Sequence, residues 1–164
     1  MFDEENGDHI VPYVIEPAMG VDRAVLTVLV DGYEEEKLAK ESRVVLRIAP
    51  MLAPIKAAVL PLLRNRPELV ERARRLTTDL KDLMAATYDD TASIGKLYRR
   101  QDEVGTPYCI TVDPESLQDG AATIRDRDSM TQERVSLDLI PARIADLVAD
   151  RTPWEGVPRE SAPE

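Results

Sequence analysis

Apolar residues at Leu69, Val70, Ala73, Leu76, Leu80, Leu83 and Met84 recur at helical spacing behind Pro67, which suits a first helical turn. Arg72, Arg74, Arg75 and Lys81 fall largely off that stripe. The same spacing at Val21, Ala24, Val25, Val28 and Leu29 predicts an earlier helix. A turn over residues 18–20 precedes it. Before the turn, the mostly β-branched and aromatic residues 11–15 read as a strand, with Pro12 near its start and Pro17 past its end. Ser93 reads as the N-cap of a helix running to about Glu103 and closed by Gly105. Ile140, Ile144, Leu147 and Val148 mark a last helix. Short runs at 43–48, 56–60, 85–88, 108–112, 123–127 and 132–137 read as strands. From residue 43 the order is β-β-α-β-α-β-β-β-α, which implies an α/β fold: a mixed sheet with helices packed on it. Residues 34–41 read as a solvated helix end and linker. Residues 151–164, with Pro153, Pro158 and Pro163, read as a frayed tail.

Charge divides the chain. The 164 residues carry 21 Lys and Arg against 31 Asp and Glu, a net charge of −10 that speaks against a nucleic-acid partner. Residues 1–42 hold 11 acidic and 3 basic groups, whereas residues 43–75 hold 8 basic and 2 acidic. An acidic head and a middle with a strongly basic stretch are therefore separate readings, with a boundary near Ser42. No apolar run is long enough for a transmembrane helix, and the start MFDEENGDH is too acidic for a targeting peptide. One cysteine, Cys109, allows no internal disulfide and suits a reducing cytoplasm. His9 stands without a ligand set, so no metal site is expected.

Three segments carry chemistry. In YVIEPAMGVDRAVL a strand delivers Glu16, and a helix opens at Gly20 with Arg23 in its first turn. Helix N-termini favour anions such as phosphate, and an arginine there adds a forked donor. A carboxylate beside it can hold an ammonium group. The alternative is an ordinary strand–turn–helix with a surface arginine and a capping glutamate. In SIGKLYRRQDEVGTPYCITVD, Ile94, Leu97 and Tyr98 face inward, while Lys96, Arg99 and Arg100 make one cationic stripe. That stripe suits RNA phosphates, or else pairs with Asp102, Glu103 and nearby acids. In ATIRDRDSMTQERVSLD, Thr123, Arg125 and Arg127 alternate on one strand face and Arg134 follows on the next strand. Arginines on a sheet beside a loop suit unstacked bases, unless Asp126 and Asp128 neutralise them.

Together these segments resemble glycyl-tRNA synthetase of the dimeric class II type, over about residues 2–150. VIEPAMGVDR is similar to motif 3 in its glycyl form. RVVLRIAPMLAPIKAAVLPL resembles the entry into the anticodon-binding domain, and DEVGTP and TIRDRDSM resemble its most distinctive wording. The resemblance implies a mixed five-stranded sheet flanked by three helices over residues 43–150. A strand–helix remnant of the catalytic domain would precede it over 1–42, and a disordered tail would follow over 151–164. It also implies that Arg23 binds ATP phosphate, that Gly20, Val21 and Asp22 line the ATP site, and that Mg2+ accompanies the nucleotide. Glu16 would hold the ammonium of glycine, beside Pro17, Ala18, Met19 and Gly20. The family commonly has serine where Ala18 stands, and alanine removes that hydroxyl from the glycine site. The implied partners are glycine, ATP and glycine tRNA, with a homodimer in the cytoplasm. Lys96, Arg99, Arg100, Arg125, Arg127 and Arg134 are the candidate tRNA contacts. Class II motifs 1 and 2 precede this region in the family and are not in this sequence, so the chain resembles the C-terminal part of a synthetase and is expected to be inactive alone. The competing reading is a stand-alone RNA-binding or accessory module without catalysis.

Overall fold

A computed structural model describes residues 2–9, 11–37 and 42–157. Two short strands, β1 (Phe2–Asp3) and β2 (Asp8–His9), pair at the start. Then follow α1 (Val21–Gly32), β3 (Tyr33–Lys37), β4 (Ser42–Leu46), β5 (Ala57–Pro61), α2 (Pro67–Lys81) and β6 (Ala86–Tyr88). The chain continues through α3 (Ile94–Val104), β7 (Tyr108–Val112), α4 (Ser116–Asp119), β8 (Ala121–Asp126), β9 (Gln132–Ser136) and α5 (Ile140–Val148).

Five strands form one mixed sheet in the order β6-β5-β7-β8-β9. β5 runs parallel to β6 and β7, whereas β7, β8 and β9 are successively antiparallel. β5 and β7 are buried along their whole length, as expected of central strands covered on both faces. The two-residue period then sorts the sheet's faces. Val59, Ile110, Val112, Ala122 and Ile124 pack against Leu69, Ala73, Leu76 and Leu80 of α2 and Ile140, Ile144 and Leu147 of α5. On the other face Ala58, Leu60 and Cys109 meet Leu97 of α3, with Ile94 and Tyr98 beside it. α3 lies against β4 and β5 and leaves the β7–β8–β9 side of this face polar. Thr111 pairs with Thr123, Thr123 with Arg134, and Arg125 with Gln132 in the ladder. Thr111, Thr123, Arg125, Gln132 and Arg134 therefore share one polar surface.

Three expectations are corrected. Residues 11–20 form no strand and are exposed throughout, because no described residue offers them a ladder of hydrogen bonds. Tyr33–Lys37 is a strand rather than a helix end, and it pairs antiparallel with Ser42–Leu46 outside the five-stranded sheet. Cross-strand charge pairing stabilises this glutamate-rich strand. Arg43 Nη1 donates to Glu36 Oε2 at 2.9 Å, Arg47 Nε donates to Glu34 Oε2 at 2.6 Å, and Arg47 also pairs with Glu36. Gly32 allows the tight entry, since a Cβ there would lie 3.2 Å from the Arg47 backbone. The remainder of the linker reading, residues 38–41, lies outside the described residues.

The tail also differs from expectation. Trp154 stacks on Tyr108 with ring centroids 6.2 Å apart and donates from Nε1 to Thr131 Oγ1 at 2.6 Å. Val157 bridges to Gln132. An aromatic ring with a buried partner and a satisfied N–H holds residues 151–157 against the sheet edge. Residues 158–164 lie outside the described residues.

Candidate nucleic-acid interface

α3 forms where its sequence demands a helix. Its N-cap position is Ser93, and Gly105 ends it in the left-handed conformation at φ 82°. Burial of Leu97 fixes its rotation and turns Lys96, Arg99 and Arg100 away from the core. There the helix borders a cavity of about 640 Å³, which Met130 of the β8–β9 turn and Gln132 of β9 also line. Tyr98 and Arg125 also line it, and the Arg125 guanidinium carbon lies 4.8 Å from the Tyr98 ring centroid, a cation–π distance. The Tyr98 hydroxyl hydrogen-bonds Thr111 Oγ1 at 2.5 Å. A second hollow of about 210 Å³, lined by Ile94, Tyr98, Thr111, Asp113, Thr123 and Gln132, carries on across the polar face.

The six candidate RNA contacts do not share one fate. Lys96, Arg99, Arg100 and Arg125 border the same cavity. Lys96 is exposed and makes no ion pair among the described residues. Arg100 pairs with Asp89 and donates to Thr91 Oγ1 at 2.9 Å, so its charge is partly spent within the protein. Arg99 lies 3.7 Å from Asp102. Arg125 is buried rather than open, because both its terminal nitrogens donate to Asp102, at 2.9 and 3.2 Å. Arg127 is buried as well: it donates to Gly105 O at 2.9 Å and to the Asp128 carboxylate. It therefore braces the end of α3 and lies outside the cavity lining. Arg134 is clamped between Asp113 and Asp119 at 2.9 and 2.7 Å. Asp126 pairs with no arginine among the described residues; its carboxylate accepts from Ser129 N at 2.7 Å and caps the β8–β9 turn.

Titration follows this pairing. Burial pushes the Asp113 carboxyl up, but hydrogen bonds from Arg134 and Ser116 outweigh it and hold the group below the usual range. Asp89 is lowered in the same way, with burial opposed by Thr91 and Arg100. Burial pushes the Cys109 thiol up to about 12.

The N-terminal motif is placed differently. Glu16, Pro17, Ala18 and Met19 lie in the exposed, unpaired stretch before α1. Gly20 is the N-cap residue, and its carbonyl accepts from Ala24 N at 3.0 Å. Val21, Asp22 and Arg23 occupy the first turn, all exposed. Neither Glu16 nor Arg23 has a side-chain partner among the described residues.

A family model described as "Anticodon binding domain" matches residues 56–147. The chain belongs to that family. The matched span of this anticodon binding domain takes in the whole sheet, the cavity and all six candidate cations, and it excludes residues 16–23. Among curated proteins, the chain is 48% identical over 153 residues to a glycine–tRNA ligase of Thermobifida fusca, covering 90% of this chain and 33% of the relative. A glycine–tRNA ligase of Streptomyces coelicolor is 50% identical over 149 residues, covering 88% of this chain and 32% of the relative. One from Methanothrix thermoacetophila is 48% identical over 149 residues, covering 90% and 25%. The chain thus spans about a third or less of the length of these relatives.

Within the anticodon binding domain, sequence reasoning missed Tyr98 as a cavity residue, because its helical spacing with Ile94 reads as core. Gln132 and Met130 also went unread. The alternation that placed Thr123 beside Arg125 contained the signal for Gln132, once β8 and β9 are paired in register.

Proposed function

We propose that this chain is the anticodon-reading part of a glycine–tRNA ligase and that it holds glycine tRNA on the α3 side of its sheet. The observation that carries this reading is the meeting of Lys96, Arg99 and Arg100 with Tyr98, Arg125 and Gln132 around one open cavity. Cations at its rim suit phosphates, and a ring with a guanidinium suits an unstacked base. The amide of Gln132 offers both donor and acceptor to a base edge. The relatives are glycine–tRNA ligases, which supplies the amino acid, glycine, and with it a role in translation.

The ligase chemistry belongs to the same proposal: glycine is activated with ATP and then joined to tRNA. Glu16 would hold the ammonium group, Gly20–Asp22 would line the nucleotide, and Arg23 would meet its phosphate. Mg2+ accompanies ATP in this reading. No three His, Cys, Asp or Glu side chains gather into a metal cage among the described residues, so no step is assigned through the ion. A homodimer in the cytoplasm completes the reading on the resemblance alone. No helix among the described residues is long and apolar enough to cross a membrane. The exposed, unassembled state of Glu16 and Arg23 favours a second reading for this chain in isolation, RNA binding without catalysis.

Two measurements test these readings. Labelled glycine tRNA should bind the chain with an affinity that falls as salt rises. The triple variant Lys96→Ala, Arg99→Ala, Arg100→Ala should bind more weakly, with the log–log salt slope reduced by roughly 2. Unchanged affinity and slope would remove this contact face. Glycine-dependent ATP–pyrophosphate exchange by the chain alone should stay at background, and exchange above background would show that residues 16–23 assemble unaided.

A further inference from the structure

Asp102 is fully buried near the end of α3, yet its carboxylate serves three arginines from three elements. Oδ2 accepts from Arg43 Nε of β4 at 2.9 Å. Arg125 of β8 approaches as a fork, Nη1 to Oδ1 at 2.9 Å and Nη2 to Oδ2 at 3.2 Å. Arg99 Nη1, from the preceding turn of the same helix, lies 3.7 Å away. Arg99 and Arg125 both line the cavity beside Tyr98. A fork fixes the plane of a guanidinium as well as its position, and here the guanidinium carbon lies 4.8 Å from the Tyr98 ring centroid. Arg43 continues the network outward, since it also pairs with Glu36 of β3.

We propose that Asp102 is a positioning residue for RNA recognition. It holds Arg125 against Tyr98 and keeps Arg99 beside them, so that the three side chains form a ready-made floor for one splayed base. Through Arg43 the same carboxylate ties that floor to the β3–β4 hairpin. This rests on the tRNA-binding reading above. Asp102 itself is buried and is not among the residues that line the cavity. Its substitution should therefore act on discrimination between RNA sequences more than on overall, salt-dependent attraction, which the rim cations supply.

The test uses the full chain with two transcripts, glycine tRNA and the same tRNA with its three anticodon bases replaced. The wild type should prefer the first. Asp102→Asn keeps the shape and removes the charge, and it should lower the preference roughly tenfold while binding to the replaced-anticodon transcript changes little. A folded Asp102→Asn protein, judged by a cooperative thermal melt, that keeps the wild-type preference within twofold overturns the proposal. Should Asp102→Asn not melt cooperatively, Arg125→Lys decides, because it keeps the charge and loses the fork. Loss of preference in that variant supports the proposal, and retention overturns it. If the wild type itself shows no preference, the tRNA reading falls, and this inference falls with it.

Discussion

At the scale of single residues, the recurrent event is the capture of an arginine by a carboxylate. Arg125 sits on β8, whose alternation is plain in the sequence, whereas Arg127, expected on the same strand face, lies just past the end of β8 in the turn. The burial of both was not readable. The partner of Arg125 is Asp102, 23 positions earlier and on a helix, and no local pattern joins the two. A buried guanidinium is tolerated only where its donors are satisfied, and every buried side-chain nitrogen and oxygen among the described residues has a partner. Cys109 illustrates the opposite case, where local sequence was enough: a lone thiol in a central apolar strand. It is buried at 1% exposure, with its pKa pushed up to about 12 by burial. It should resist alkylation by iodoacetamide at pH 8 in the native chain and react once the chain is unfolded in denaturant. Stoichiometric labelling of the folded chain by mass spectrometry would contradict that placement.

At the scale of elements, legibility followed the source of each element's stability. The strands β5 and β7 and the helices α2, α3 and α5 bury apolar stripes, so their periodicity declares them. β3 carries three consecutive glutamates, and propensity argues against a strand there. It is a strand because Arg43 of β4 and Arg47, just past the end of β4, pair with its glutamates. Residues 11–15 are the converse, with strand composition and no neighbour to pair with among the described residues. Acid should expose how much the carboxylate clamps contribute. Asp113 and Asp89 have folded pKa values below their ordinary ones, so their stabilisation is present above the unfolded value of about 3.9 and is lost as pH falls through the folded value. Thermal stability should therefore drop below about pH 4, and Asp113→Asn should flatten that acid limb. An identical pH profile in wild type and Asp113→Asn would show that the Arg134 clamp adds nothing.

At the scale of the whole molecule, the net charge of −10 misleads unless it is located. Much of the excess acid lies in the first 42 residues, and part of it, Glu34 and Glu36, is paired with Arg43 and Arg47. The basic groups of α3 gather instead at the cavity rim, on the face that α3 leaves partly uncovered. The sheet therefore has one side sealed by α2 and α5 and one polar side open to a ligand. That division carries the functional reading, and the matched anticodon binding domain falls on it.

The most direct test is equilibrium binding of the intact chain to glycine tRNA and to the same transcript with all three anticodon bases replaced, at one fixed salt concentration. The account predicts at least about tenfold tighter binding to the natural anticodon, the discrimination expected of base contacts on a stacking floor. Equal affinity for the two transcripts would contradict it.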